Sequence, residues 1–142
     1  MEGHHPMLLD GLRVLDFGRY IAGPFCACLL GDLGADVIRI EKIDGSEDRD
    51  FIPVAEHGPG ALFLQVNRNK RGMTLNPAKP AGREVVRRLV ATADVVVANL
   101  PVSSLEAMAI DYDSLGAVKP NIILTTFDAF GAKDDAVVRE IL

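Results

Sequence analysis

The chain alternates short runs of branched apolar residues with longer stretches in which apolar residues recur every three or four positions. Runs of the first kind are typical of buried parallel strands, and the second spacing is that of helices lying on a sheet. The pattern predicts strands over residues 12–17, 37–40, 62–66, 73–75, 94–98 and 122–126. It predicts helices between residues 24 and 34, over 80–92, from a capping box at 103–106, and after Asp111 as a cap. This order of elements is typical of an α/β fold with a parallel sheet.

The first strand, helix and strand form the most informative unit, because their turn residues fit a βαβ crossover. Gly18 ends the first strand, Pro24 suits the first helical turn, and Gly34 suits the helix C-cap. Such crossovers are right-handed, so the loop of residues 18–23 falls at the carboxyl end of the sheet, where open α/β sheets bind ligands. The helix is expected to face the sheet with a stripe of residues spaced three and four apart: Phe25, Cys28, Leu29, Asp32 and Leu33.

The glycines of this loop match neither common phosphate-binding motif. Gly18 and Gly23 have the separation found in a P-loop, but Pro24 and Phe25 stand where a lysine and a hydroxyl residue are required. The Gly-x-Gly-x-x-Gly dinucleotide fingerprint is absent as well. On spacing alone, a structural βαβ unit is therefore favoured over any particular ligand site.

Composition indicates one ordinary globular unit. The 142 residues are 49% hydrophobic and 25% charged, which suffices for one core and argues against disorder over most of the length. Residues 1–8 are predicted to be a mobile amino-terminal segment, and residues 9–142 a single folded unit. A formal net charge of −5 disfavours a nucleic-acid or anionic-membrane binder, and no apolar run approaches the roughly 20 residues of a membrane span. The cytoplasm is the expected location, and Cys26 and Cys28 are expected to be buried reduced thiols.

Three charged segments are candidates for chemistry, and each also has a plain structural interpretation. Residues 47–50 (EDRD) lie in a long loop and have the groups for a metal or acid/base site, but a solvated charged tip is favoured. The basic turn at residues 67–72 is, taken alone, typical of a solvated hairpin tip. The arginines at positions 83, 87 and 88 are expected to form the solvated face of a helix. No metal site is predicted.

Five linked blocks, in order and at consistent spacing, give a more specific signal. They are residues 11–17 (GLRVLDF), 22–24 (AGP), 33–42 (LGADVIRIEK), 67–75 (NRNKRGMTL) and 93–99 (ADVVVAN). Together they resemble the amino-terminal part of the class III coenzyme A transferases, the CaiB/BaiF family, which also contains the α-methylacyl-CoA racemases. The resemblance runs from residue 9 to residue 131. It implies a doubly wound, Rossmann-like parallel sheet, of which this chain supplies an incomplete amino-terminal portion of the family's large domain.

The resemblance implies that the chain binds coenzyme A or an acyl-CoA, without a metal. Coenzyme A carries a diphosphate and a 3′-phosphate, so its site needs a few fixed cations beside an apolar slot. The matching positions are backbone against the coenzyme at Ile21 and Ala22, a cation near the phosphates at Lys42, groove-lining residues Leu75 and Asn99, and an apolar contact at Met108. With the resemblance, the basic turn is also assigned to the coenzyme, through Lys70 and Arg71.

At three positions the chain departs from the family pattern. Family members commonly carry glutamine where this chain has Ile21, an aromatic residue where it has Leu100, and arginine where it has Ala107. Loss of that arginine would remove a phosphate partner, so weakened affinity for the coenzyme is expected.

The residues that perform the family's chemistry lie beyond the resemblance. In the transferases an aspartate in a Gly-Asp context forms an anhydride with the acyl group and then carries the coenzyme as a thioester. In the racemases a histidine and an aspartate exchange the α-proton. Asp134 and Asp135 are interpreted as helix caps. No catalytic residue is therefore assigned, and the chain alone is expected to be inactive.

Three functions stay open at this point. The coenzyme-binding portion of a class III transferase, which moves CoA between an acyl-CoA and a carboxylic acid, is favoured. A racemase fragment and a noncatalytic interaction or regulatory subunit with the same fold are the alternatives. An incomplete domain leaves a bare sheet edge and an exposed apolar face, so a homo-oligomer or a second polypeptide that completes the fold is also expected.

Overall fold

A computed structural model describes residues 6–54 and 58–128. In this part of the chain the strands are β1 Arg13–Asp16, β2 Asp36–Glu41, β3 Lys70–Thr74, β4 Val95–Ala98 and β5 Ile123–Thr126. They pair in parallel in the order β3-β2-β1-β4-β5. The helices are α1 Ala22–Asp32, α2 Ala61–Val66, α3 Pro80–Val90, α4 Val102–Met108 and α5 Tyr112–Val118, and a 3₁₀ turn covers Glu47–Asp50. This strand order is that of a Rossmann-like sheet, and the predicted α/β class is confirmed.

Helices cover both faces of the sheet. Successive strand residues point to opposite faces, so each strand contributes to two cores. On one face, residues from three strands pack against Ala27 of α1: Val14, Val37 and Val97. On the other face, strand residues pack against α3, α4 and α5: Leu15, Ile38 and Val96 meet Val86, Leu105 and Leu115. Burial on both faces explains why these strands are continuous apolar runs in the sequence.

The order in which strands are added to the sheet reverses at β1. β2 and β3 are added on one side of β1, and the chain then crosses back to place β4 on the other side of β1. Leu15 consequently lies between Ile38 of β2 and Val96 of β4. The loops that follow β1 and β4 diverge at the carboxyl edge, which is where sheets of this kind leave a crevice for a ligand.

The predicted boundaries of α1 are confirmed. Pro24 lies in its first turn, and Gly34 follows its end with a φ of +105°. The Ala35 N–H donates to the Leu30 carbonyl at 3.1 Å and the Gly34 N–H donates to Gly31 at 3.0 Å. These two bonds form a Schellman motif, which needs the left-handed conformation that glycine adopts without cost.

The face that α1 turns to the sheet differs from the prediction. Phe25, Leu29 and Leu33 are more than two-fifths exposed, whereas Gly23, Pro24, Ala27 and Cys28 are buried. Small side chains face the sheet because α1 approaches it closely: a Cβ added at Gly23 would lie 2.8 Å from the Asn99 Oδ1. Of the predicted stripe, Cys28 alone is buried, and the bulky apolar residues form an outer face.

The prediction of a strand over residues 62–66 is wrong, because this segment is helix α2. A short apolar run without clear periodicity fits a strand or a helix equally well. The basic turn is therefore not a hairpin tip. Instead β3 begins at Lys70 and pairs in parallel with β2, with Val37 opposite Lys70 and Glu41 opposite Thr74.

Two helix caps are predicted for the later helices, and the structure contradicts one and confirms the other. The capping box predicted at residues 103–106 is wrong: α4 starts after Pro101 without a side-chain cap. Asp111 does cap α5, since its carboxylate accepts the Ser114 N–H at 2.9 Å. Across residues 6–54 and 58–128, no helix has the length and apolar character needed to cross a membrane.

Candidate functional site

A cavity of about 400 Å³ opens at the carboxyl edge of the sheet, beside β1, where the order of strand addition reverses. We call it the edge cavity. Its lining comes from the ends of three neighbouring strands and from α4: Phe17, Arg19, residues 40–44, residues 75–78 and Met108. The volume falls in the range of small-molecule sites.

Three of the predicted coenzyme residues meet in this cavity. Lys42 follows β2, Leu75 follows β3, and Met108 ends α4. They are far apart in the sequence, and the parallel register of β2 and β3 brings the first two to the same edge, where the Leu75 N–H donates to the Glu41 carbonyl at 2.8 Å. The edge cavity thus combines a cation with two apolar side chains.

Lys42 is the exposed cation of the edge cavity. Its Nζ contacts the Glu47 carboxylate, and both side chains are about half exposed, at 52% and 50%. The contact lowers the pKa of Glu47. Because exposed ion pairs are weak, Lys42 can exchange this partner for a bound anion at little cost.

Asn99 lies beside the edge cavity and holds the loop between β1 and α1. Its Oδ1 accepts the Arg19 N–H at 2.6 Å, and its Nδ2 donates to the Arg19 carbonyl at 2.8 Å. Ile21 and Ala22 continue this loop into α1, and the Ile21 side chain is 56% exposed. None of these three residues lines the cavity directly.

Lys70 lies in the interior and does not line the edge cavity. Its Nζ donates to Asp16 Oδ2 at 2.7 Å, to the Pro24 carbonyl at 2.6 Å and to Asn67 Oδ1 at 2.9 Å. The side chain is 2% exposed. Burial lowers the pKa of Lys70, and the neighbouring Asp16 carboxylate partly opposes that shift. With three partners in place, Lys70 ties β3 to β1 and α1.

Arg71 lies toward the amino end of the sheet. Its guanidinium donates to both oxygens of Asp36, at 2.9 and 2.7 Å, and Asp36 is the first residue of β2. The edge cavity is built at the other end of the same strands. The assignment of Lys70 and Arg71 to the coenzyme therefore rests on the resemblance and not on proximity to the cavity.

A buried charge network, missed from the sequence, connects β1, β2 and the 3₁₀ turn. Arg39, Asp16 and Asp48 are each at most 2% exposed. The Arg39 Nη2 donates to Asp48 Oδ2 at 2.7 Å, and its Nη1 lies 3.5 Å from Asp16 Oδ2. The view of residues 47–50 as a solvated tip is thus wrong for Asp48. A charged residue flanked by apolar neighbours, as Arg39 is in β2, was the available signal.

Glu41, at the end of β2, anchors the same 3₁₀ turn. It receives the Arg49 Nε at 3.1 Å and the Ser46 N–H at 3.3 Å. Burial disfavours its charged form, but the hydrogen bonds from Arg49 and Ser46 and the charges of Arg39 and Arg49 outweigh burial and lower the pKa of Glu41 from 4.5 to about 2. Glu41 is therefore ionised near neutral pH and engaged in holding the loop.

The thiols are placed for structure and not for reactivity. Cys26 is half-buried, Cys28 is buried, and both are free. Burial raises the pKa of both thiols, which disfavours the reactive thiolate. Among the described residues, no three histidine, cysteine or carboxylate side chains are grouped so as to hold a metal ion.

Comparison with known proteins identifies the family of this chain. The family model of CoA-transferase family III matches residues 9–138. Succinyl-CoA:glutarate CoA-transferase from Mus musculus is 37% identical over 124 residues, which cover 87% of this chain and 28% of that protein. The succinyl-CoA–L-malate CoA-transferase beta subunit from Chloroflexus aurantiacus is 38% identical over 124 residues, covering 87% of this chain and 31% of the subunit.

A solved structure gives the same result. The crystal structure of a CaiB/BaiF family protein from Brucella suis superimposes with a TM-score of 0.83 at 40% identity, covering 89% of this chain and 35% of that one. The chain spans about a third of the length of the proteins it matches.

Proposed function

Because the chain belongs to CoA-transferase family III, we propose that it forms the coenzyme-binding part of an enzyme that moves CoA from an acyl-CoA to a carboxylic acid. The observation that carries this proposal is the edge cavity, where Lys42, Leu75 and Met108 converge at the carboxyl edge of the sheet. A ligand with an apolar body and phosphate groups fits such a combination.

Each cavity residue has a physical role in this proposal. Leu75 and Met108 would pack against the adenosine or pantetheine part of the ligand, since both present apolar surface. Lys42 would bind a phosphate after leaving Glu47, with which it forms an exposed pair. Asn99 would act through the loop that it clamps, which positions the backbone at Ile21 and Ala22.

The acyl-transfer chemistry is proposed to come from a carboxylate other than those in the described residues at the edge cavity. In the proposed sequence this carboxylate attacks the thioester carbonyl and releases the CoA thiolate, leaving a mixed anhydride. The thiolate then attacks the enzyme carbonyl of the anhydride, which frees the first carboxylic acid and leaves CoA as an enzyme thioester. Glu41 is a poor candidate for this carboxylate because it is held by Arg49 and Ser46.

The family that the sequence resembles also contains racemases, which exchange an α-proton, and this activity is one alternative. A noncatalytic role is another. The two relatives described above are both CoA-transferases by name, which favours transfer over racemisation. Family membership and the absence of a span-length apolar helix from the described ranges are compatible with the cytoplasm, which we propose as the location.

We also propose that another polypeptide, or a second copy, covers the outer face of α1. Ile21, Phe25, Leu29 and Leu33 expose between 43% and 56% of their surface there. Exposed apolar residues grouped in this way are typical of interaction surfaces. Light scattering that shows only a monomer at micromolar concentration, with cooperative unfolding, would contradict this part of the proposal.

Calorimetric titration with coenzyme A tests the proposed function. We expect saturable binding by the chain, and no turnover without the residues that supply the nucleophile. Absence of binding at millimolar coenzyme A would reject the proposal. In an enzyme that contains this chain, acyl transfer to a free carboxylic acid supports the transferase, whereas α-proton exchange without transfer would identify a racemase.

A further inference from the structure

Arg19 differs from the other cations at the carboxyl edge because it forms no ion pair with a carboxylate of the described residues. Lys42, Arg39, Arg49 and Lys70 each form an ion pair. Across residues 6–54 and 58–128, the Lys and Arg residues without an ion pair are Arg19, Lys79 and Arg83. Lys79 and Arg83 are exposed on the surface, whereas Arg19 is partly buried and lines the edge cavity.

The guanidinium of Arg19 is anchored through one nitrogen. Its Nη1 donates to the carbonyls of Phe17 at 3.1 Å, Gly18 at 2.8 Å and Ile40 at 3.4 Å. The Nε and Nη2 groups make no hydrogen bond to any residue in the described ranges. Three N–H donors therefore stay available on a side chain whose position is already fixed.

The backbone that carries Arg19 is fixed as well. Asn99 clamps its N–H and its carbonyl, and Gly18 before it is held by a hydrogen bond from its N–H to Asp16 Oδ1 at 2.8 Å. A cation held in this way loses little conformational freedom when it binds an anion.

The burial of Arg19 also favours an anion at this position. Burial lowers the pKa of Arg19, and the positive charge of Arg39 lowers it further, while the carboxylates of Asp48, Glu47 and Asp16 oppose the shift in part. A guanidinium stays charged at neutral pH all the same, so its burial without a counterion costs free energy that a bound anion would offset.

We propose that Arg19 is an anion-binding residue of the edge cavity, and that its free Nε and Nη2 groups donate to a phosphate of the bound ligand beside Lys42. This inference rests on the proposed function for the identity of the ligand as coenzyme A. It assigns a role in affinity to a residue that also secures the end of β1. The planar pair of donors suits two phosphate oxygens, which a lysine at the same position cannot match.

Two ligands separate phosphate binding from a purely structural role. Coenzyme A carries phosphates and pantetheine does not, so the Arg19→Lys and Arg19→Ala variants should lose at least about tenfold in affinity for coenzyme A. Their affinity for pantetheine, measured by competition with a labelled coenzyme, should stay unchanged. Arg83→Ala is the matched control, because it removes the other arginine of the described residues that forms no ion pair, and it should leave both affinities unchanged.

The other outcomes test the inference separately from the proposed function. Equal coenzyme A affinity in wild type and both Arg19 variants would overturn it and leave the proposed function intact. Equal losses of affinity for coenzyme A and pantetheine, with a lower Tm, would mean that Arg19 only stabilises the loop after β1. If the wild type binds no coenzyme A, the proposed function fails, and titration with inorganic pyrophosphate decides the anion site alone: binding lost in Arg19→Ala supports it, and no binding by the wild type overturns it.

Discussion

Asn99 grips the backbone of Arg19 from both sides, accepting its N–H at 2.6 Å and donating to its carbonyl at 2.8 Å. Asn99 directly follows β4, and Arg19 lies in the loop after β1. These two strands are neighbours in the sheet, at the point where the order of strand addition reverses. The amide of one side chain therefore fixes the loop that borders the edge cavity.

Replacing Asn99 should loosen that loop. We expect Asn99→Ala to lower the free energy of unfolding by about 1–3 kcal/mol, because two partly buried hydrogen bonds are lost. Asn99→Asp keeps the acceptor but sets a carboxylate oxygen against the Arg19 carbonyl, so it should destabilise the protein as well. Hydrogen exchange at the Arg19 amide should rise most in Asn99→Ala. Unchanged exchange there would show that the loop is held by other contacts.

Asp48 should be among the residues most sensitive to substitution. It pairs with Arg39 at 2.7 Å, and neither side chain is more than 2% exposed. Asp48→Ala leaves a buried guanidinium with a longer contact to Asp16, and we expect a loss of about 3 kcal/mol in urea unfolding. Glu84→Ala, which breaks exposed pairs on α3, is the control and should change little. Similar midpoints for the two variants would contradict this ranking.

Stability should fall in acid partly through Glu41. Its pKa is about 2 in the folded protein, against 4.5 for an ordinary glutamate. A lowered pKa stabilises the fold above pH 4.5, and this contribution is lost as the pH falls from there toward 2. Glu41→Gln should therefore be less stable near neutral pH and show a shallower decline across that window. Denaturant unfolding at several pH values measures this slope. If the free energy of unfolding of Glu41→Gln falls with pH as steeply as that of the wild type, Glu41 is not a source of the acid sensitivity.

Lys42 and Arg71 should respond differently to substitution, although both were assigned to the coenzyme. Lys42 lines the edge cavity, so Lys42→Ala should weaken coenzyme A binding by about tenfold and reduce its salt dependence. Arg71 pairs with Asp36 near the amino end of β2, so Arg71→Ala should leave binding unchanged. Calorimetric titration at two salt concentrations measures both. An equal loss in the two variants would favour the resemblance over the geometry seen here.

The sequence predicts the sheet well, because its signals are local. Branched apolar runs mark β1, β2 and β4, and Pro24 and Gly34 mark the ends of α1. Segment 62–66 was misassigned because six residues of helix carry too little periodicity to separate it from a strand. The sheet-facing side of α1 is predicted wrongly for a different reason. Spacing identifies an apolar stripe on a helix, but it does not show how closely the helix packs on the sheet.

The candidate site is only partly predictable. Lys42 follows from its place at the end of a predicted parallel strand, and Leu75 and Met108 follow from the resemblance alone. Arg39 and Asp48 could not be paired from the sequence, because the turn that buries Asp48 depends on Glu41, Ser46 and Arg49 together. Arg19 was overlooked because its lack of a counterion is a property of the folded arrangement.

The strand order also dictates how the site matures on the ribosome. β1, β2 and β3 are synthesised in sequence and lie on one side of the sheet, so the chain up to residue 78 already carries most of the residues that line the edge cavity. The opposite side of β1 waits for β4, and Asn99 arrives just behind that strand. Until residue 99 is synthesised, the chain therefore lacks both the second neighbour of β1 and the clamp on the loop. Because domains generally fold as units, we expect this sheet to become stable only after residue 99 has emerged from the ribosome.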